Sequence, residues 1–200
     1  MTDLPPAIIL AGGRATRMGG GDKPLLRLGD LTLLDRVIGR LQPQCGVMAL
    51  NANGDVARFS AFGLPVIADS LPDHPGPLAG ILAGMDWAAA QGAKSVVSVA
   101  ADTPFFPADL TKMLARNAGP GGLALAASRD ATGRLREHPT FGLWPVALRD
   151  DLRATLHAGQ RRVRSFAAAY SPGLAVWSDD PFFNVNTPED LARARLIGAT

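Results

Sequence analysis

Cysteine is nearly absent from this 200-residue chain, with Cys45 standing alone. An internal disulfide and a cysteine-built metal centre are therefore excluded, and a lone thiol suits a reducing compartment. Lysine and glutamate are also scarce: 3 lysines stand against 17 arginines and 2 glutamates against 16 aspartates, which makes each lysine conspicuous. Strong charge of one sign is missing too. The net charge is +2, and the basic residues are dispersed except at Arg161, Arg162 and Arg164, so no nucleic-acid footprint is expected. No apolar run approaches the roughly 18 residues of a membrane span, because Gly, Pro, Arg or Asp breaks each one. Residues Met1 to Pro6 include Asp3 and no basic leader, so no secretory signal is expected and the location expected is cytoplasmic. With 47% hydrophobic and 19% charged residues the chain is not intrinsically disordered, and 1–200 suits one domain with a full core.

Glycine and proline, 38 residues together, punctuate short apolar runs. Ala7 to Leu10 is continuously apolar before Gly12 and Gly13, as in a strand buried on both faces. Leu31 to Leu41 carries Leu34, Val37, Ile38 and Leu41 at helical spacing, and Pro43 follows. Further strands are predicted at 47–50, 65–68, 95–101, 123–127 and 174–177, with an edge strand at 140–144 and a loop over 128–137. Helices are predicted at 56–62, 78–90, 107–116, 146–157, 163–169 and from Pro188. No repeat or linker interrupts them. Alternating strands and helices imply a single-domain α/β fold, Rossmann-like, with a mainly parallel sheet and helices on both faces. Ligands of such sheets bind beyond the carboxyl ends of the strands, here the loops after Leu10, Leu50, Ala68 and Ala101.

The first of these loops is the most informative. From Leu10 to Leu25 it holds five glycines together with Arg14, Arg17 and Lys23. Main-chain N–H groups left bare by glycine, with three cations nearby, describe a phosphate cradle. No Gly-Lys-Ser/Thr closes it and G-x-G-x-x-G spacing is missing, so neither a Walker A loop nor a dinucleotide fingerprint is present.

The stretch Leu10-Ala11-Gly12-Gly13 through Arg17-Met18-Gly19 to Asp22-Lys23 resembles the signature of the molybdenum cofactor guanylyltransferases. The resemblance extends through Asn51-Ala52-Asn53, Asp69-Ser70-Leu71, Pro75-Gly76-Pro77-Leu78-Ala79-Gly80, Asp102-Thr103-Pro104, His138-Pro139-Thr140 and Phe183-Asn184-Val185-Asn186-Thr187-Pro188. It implies a Rossmann-like domain of the nucleotide-diphospho-sugar transferase kind. The implied activity joins GMP from GTP, with Mg²⁺, to molybdopterin and releases pyrophosphate. It also implies transient contact with cofactor-biosynthesis proteins, apo-molybdoenzymes or their chaperones, and no membrane partner. A cytidylyltransferase acting on the same pterin shares the phosphate loop. The guanine assignment therefore rests on the Asp69-Ser70-Leu71 and Gly76 to Gly80 segments. Transfer of another NMP to a pterin, sugar phosphate or polyol phosphate also suits the phosphate loop, as does a non-catalytic nucleotide-binding carrier of the cofactor.

Such a transfer needs the α-phosphate held, its developing charge neutralised and the leaving group stabilised. Lys23 is the candidate cation, at the position of the family's essential lysine. Asp102, at the end of an apolar strand, is the candidate Mg²⁺ ligand and second catalytic residue, its competing reading being a turn or N-cap aspartate. Ala101 stands before it where related sequences often carry Cys, which matters little if the carboxylate alone binds metal. Leu10, Ala11, Gly12, Gly13, Lys23, Asn51, Asp69 and Asp102 form the expected GTP site. A carboxylate at Asp69 suits the two N–H donors on one edge of guanine, or a ribose, and a turn-forming Asp is the competing reading. Asn184 and Asn186 alternate on an extended segment, which points both into the site to assist the metal or the pterin, the competing reading being an ordinary helix entry before Thr187-Pro188; with Arg14 and Arg17 they are second-rank candidates. The Arg161, Arg162 and Arg164 cluster is either an acceptor-phosphate contact or a solvated face, and His74 and His138 have no spaced metal partner.

Overall fold

The apolar run Ala7–Leu10 forms strand β1, and its alternate side chains enter two different cores: Ile9 on one face of the sheet, Ile8 on the other. The computed structural model describes residues 4–12, 22–71 and 76–198. β1 lies between two parallel neighbours, β4 (Met48–Asn51) and β6 (Ser95–Ala100), with Leu10 level with both Asn51 and Ala100. β5 (Val66–Ile67) is added outside β4. Beyond β6 come β8 (Leu135–Pro145), β7 (Ala124–Arg129) and β9 (Gly173–Trp177), giving the order β5-β4-β1-β6-β8-β7-β9. Only β8 runs against its neighbours.

Helix α1 (Leu33–Leu41) and α3 (Leu110–Arg116) cover the Ile9 face, where Leu34, Val37, Leu41, Leu110 and Leu114 meet Phe59, Phe106, Phe141 and Phe182. Helices α2 (Pro77–Ala90), α4 (Arg149–His157) and α5 (Val163–Ala168) supply Ile81, Leu82, Met85, Leu152 and Phe166 to the Ile8 face, packed with Trp144. α2 approaches β1 closely enough to need glycine, since a Cβ at Gly84 would stand 2.6 Å from Ile8 Cγ2. α6 (Pro188–Ile197) closes a smaller cluster with Leu28, Leu33, Val185 and Ala194.

Four local expectations need correction. The first helix starts at Leu33, because the Thr32 side chain accepts from Asp35 N while Asp35 reaches back to Thr32 N, a closed capping box. Leu31 instead pairs in a small hairpin, β2 (Arg27–Leu28) with β3 (Leu31–Thr32), around Gly29 at φ +72°. The predicted loop at 128–137 shrinks to 130–134, where Asp130 Oδ1 accepts from Thr132 N and Arg134 N and Gly133 adopts φ +81°. The predicted edge strand at 140–144 is part of the interior strand β8, paired to β6 and β7. Its first two residues, Leu135 and Arg136, are exposed and Glu137 is half-buried, and the two charges hide the strand in a sequence scan. Residues 56–62 wind as a 3-10 helix.

Candidate functional site

The carboxyl ends of β1, β4, β5 and β6 open onto a cleft of about 300 Å³. Leu10, Gly12, Asn51, Asn53, Asp69, Asp102 and Thr140 contribute to its lining, with Gly76 and Pro77 at the start of α2. This is where the strand order divides, β1 sending the chain to β4 on one side with β6 on the other, the position at which such sheets hold ligands. Ala11, expected in the site, lies beneath it. Its side chain is buried, and its N–H donates to Asn51 O. Gly13, Arg14, Arg17 and His74 lie outside the described residues.

Lys23 opens a short 3-10 helix, Lys23–Leu25, and is only 8% exposed. Its Nζ lies 2.5 Å from Asp102 Oδ2 and donates equally closely to Asn186 Oδ1. Asp102 stands two residues past β6, with its side chain 23% exposed toward the cleft. The Thr103 hydroxyl lies 3.0 Å from Asp102 Oδ1 and 2.8 Å from Asn184 Oδ1. Val185 N donates to Asp102 O at 2.8 Å. The segment 184–186 is thus laid across the end of β6, and both asparagines converge on the lysine–aspartate pair. Thr103 is buried and belongs to the Asp-Thr-Pro motif, yet its role as a brace is not legible from residue type.

The opposite wall is an amide–carboxylate network. Asp69 Oδ1 accepts from Asn51 Nδ2 at 2.8 Å, and Oδ2 accepts from Asn53 Nδ2 at 2.7 Å. Asn53 Oδ1 in turn accepts from Asp69 N at 2.9 Å. Each carboxylate oxygen has a second lone pair, so Asp69 retains acceptor capacity toward the cleft. A Cβ at Gly80 would lie 2.8 Å from Leu10 Cδ2 and collide with Asn51, so this glycine lets α2 pass behind the wall. Residue pattern does not single out Asn53 as a site residue, although it sits two positions from Asn51, the spacing that puts both on one side of an extended segment. Behind the wall, Ser70 Oγ donates to Asp86 Oδ2 and Arg153 donates to both Asp86 oxygens, fixing the loop to α2 and α4.

His138, on β8 two residues from Thr140, is engaged within the protein. Its Nε2 lies 2.7 Å from Ser128 Oγ and 3.5 Å from Asp180 Oδ1, and its ring stacks on Phe182 at 4.3 Å. Burial pushes the imidazole from 6.5 down to about 4, opposed by Asp180 and assisted by Arg136 and Arg164. Arg164 Nε pairs with Glu137 at 3.1 Å, while Arg161 and Arg162 are exposed.

The donors that converge here are all hard oxygens: one carboxylate, at Asp102, and the amide oxygens of Asn184 and Asn186. Among the described residues no cluster of three His, Cys, Asp or Glu could hold a metal by itself. That set fits a cation which takes one carboxylate and completes its shell from phosphate and water, as Mg²⁺ does. No helix among the described residues is long and apolar enough to cross a membrane.

Residues 7–173 match the MobA-like NTP transferase domain. The chain is 52% identical over 207 aligned positions to the molybdenum cofactor guanylyltransferase of Rhodopseudomonas palustris (strain BisB5), covering 98% of this chain and 96% of that protein. It is 51% identical to the enzyme of the same name from Bradyrhizobium sp. (strain ORS 278), covering 99% and 95%. Among solved structures, molybdopterin-guanine dinucleotide biosynthesis protein A from Archaeoglobus fulgidus superposes with a TM-score of 0.73 at 21% identity, over 97% of this chain and 98% of that one, which shows the same fold. With a phosphate-loop signature, a topological cleft and two such relatives in agreement, the chain belongs to the molybdenum cofactor guanylyltransferase family of MobA-like nucleotidyltransferases.

Proposed function

We propose that this chain, working as one domain over 1–200, transfers GMP from GTP to the terminal phosphate of molybdopterin in an Mg²⁺-dependent reaction in the cytoplasm. An acceptor phosphate oxygen bonds to the α-phosphorus as the bond from that phosphorus to the β-bridging oxygen breaks, and pyrophosphate leaves. What supports this reading is the meeting of Lys23, Asp102 and Asn186 at the end of β6, beside a cleft whose far wall is Asp69.

Lys23 supplies a nearly buried ammonium, which weighs more there than in open water and neutralises phosphate oxygens in the transition state. Before nucleotide arrives, Asp102 and Asn186 hold that ammonium in place. Bound Mg²⁺ would be held by Asp102, with Asn184 and Asn186 beside it, and supplies charge neutralisation on the phosphates. Asp69, braced by Asn51 and Asn53, accepts from the base or ribose, and Leu10, Ala11, Gly12 and Gly13 give the strand end and the start of the phosphate loop. Arg14 and Arg17 add two cations to the sequence of that loop. Delivery of the product would involve transient contact with cofactor-biosynthesis proteins, apo-molybdoenzymes or their chaperones.

The test is purified protein with Mg²⁺ and molybdopterin, supplied with GTP or CTP in parallel, reading pyrophosphate and the mass of the pterin product. A GMP-bearing product with GTP alone is expected. A product with CTP alone would transfer the reading to cytidylyl chemistry, and silence with both would overturn it.

A further inference from the structure

We propose that Arg58 is a positioning residue that ties the base side of the nucleotide site to its phosphate side, so that one guanidinium sets Asp69 and Lys23 relative to each other. The proposal rests on the nucleotidyl-transfer reading above. Arg58 lies in the 3-10 helix Val56–Phe62, outside every motif of the sequence. Its Nη2 donates to Asn53 O and its Nη1 to Asp55 O, each at 2.8 Å. Its Nε stands 3.1 Å from Asp22 Oδ2, an ion pair without the alignment of a directed hydrogen bond. The guanidinium lies over the ring of Phe59, which is fully buried, at 4.7 Å from its centroid. Gly54, between the two accepting carbonyls, adopts φ +82°, and the loop folds around the guanidinium there.

These contacts join at both ends to residues of the site. Asn53, whose carbonyl Arg58 holds, grips Asp69 through both N–H and carboxylate. Asp22, whose carboxylate Arg58 faces, is the residue before Lys23. Every link from Asp69 through Asn53, Arg58 and Asp22 to Lys23 is therefore a hydrogen bond, an ion pair or a peptide bond. The arrangement suits arginine in particular, because a planar fork can address three acceptors in different directions, whereas the lysine ammonium is a single point charge on a flexible stem. Neither partner is a core residue: the Arg58 and Asp22 side chains are 23% and 32% exposed. The loops they join belong to different elements, one following β4 and one preceding the Lys23 turn. A nucleotide lies across both, so the distance between them sets how well base and phosphates are held together.

The experiment compares Arg58→Gln, Arg58→Lys, Asp22→Asn and the Arg58→Gln/Asp22→Asn double variant with wild type. It reads GTP binding by titration calorimetry, kcat and KM for pyrophosphate release, and the melting temperature. Arg58→Gln is expected to weaken GTP binding about tenfold, and Asp22→Asn to lower kcat with a smaller change in GTP binding. The double variant is expected to lose less than the product of the two single losses, the mark of one shared tie. Arg58→Lys is expected to behave like Arg58→Gln in binding while melting near wild type, which a purely structural role would not produce. If Arg58→Gln does not fold, Arg58→Lys and Asp22→Asn carry the comparison. Variants that bind and turn over GTP as wild type does, or whose losses simply multiply, would overturn the tie alone. A wild type that neither binds GTP nor releases pyrophosphate would overturn the functional reading and the tie with it.

Discussion

Acid should destabilise this protein through His138 in a window set by where its imidazole sits. The ring is 8% exposed, stacked on Phe182, and held near pH 4 rather than 6.5 by burial. Below 6.5 the unfolded chain takes up a proton that the folded chain refuses until about 4. Because unfolding then binds the proton, stability is full above 6.5 and falls as the pH drops toward about 4. At 1.36 kcal/mol per pH unit the complete gap is worth about 3 kcal/mol, and about 2 kcal/mol of it is already lost near pH 5. Asp180, Arg136, Glu137 and Arg164 surround the ring with charges that stay in place when His138 alone is changed. The assay is therefore a difference. Urea unfolding of wild type and His138→Gln is measured from about pH 8 to about pH 5, glutamine keeping a polar partner for Ser128 while taking up no proton in this range. The wild-type curve should fall by about 2 kcal/mol more than the variant's. Curves that run parallel would refute the argument, since the ring would then ionise alike in both states.

Lys23→Ala should lose turnover while circular dichroism shows a chain that still folds, because the Asp102 carboxylate left behind is 23% exposed and can be solvated from the cleft; near-normal pyrophosphate release would remove the ammonium from the chemistry. Asp102→Ala should abolish Mg²⁺-dependent turnover with circular dichroism unchanged, and collapse of the fold would instead make this carboxylate a structural group. Gly80→Ala should weaken GTP binding more than stability, since the new methyl meets Asn51 and Leu10 at the cleft wall; unchanged titration isotherms would count against that wall as the nucleotide side. Thr32→Ala should cost about 1 kcal/mol in urea unfolding by opening the capping box of α1, and no measurable change would mean that solvent replaces it fully.

Much of the sheet was legible because its strands are short apolar runs that end in polar residues. Ala7–Leu10 and Ser95–Ala100 read as doubly buried strands, and the loops after them carry Gly12 and Asp102. Of the interior strand β8 only 140–144 was legible, and as an edge strand. Its first residues, Leu135 and Arg136, are exposed, and the place of an antiparallel strand within a parallel sheet depends on a hairpin with β7 and on β6, a neighbour distant in sequence, not on local pattern. The same division holds for the site. Asp102, Asn51 and Asp69 follow from residue type at strand ends and Lys23 from the glycine-rich loop and the family resemblance, whereas the braces, Thr103, Asn53 and Arg58, are polar residues whose use appears only when distant segments meet.

The lysine–aspartate pair is completed by Asn186, which is 163 positions from Lys23 and lies past the matched 7–173 region, while Asp102 is 79 positions from Lys23. Chains emerge from the ribosome from the amino terminus, and domains fold as their sequence becomes available. A growing chain that has built β1, β4 and β6 already owns the lysine and the aspartate, but not the asparagine strap that completes them. Catalytic assembly is thereby deferred until residues 184–186 are made, and a chain that stalls between Trp177 and Asn184 would carry the sheet without a finished site.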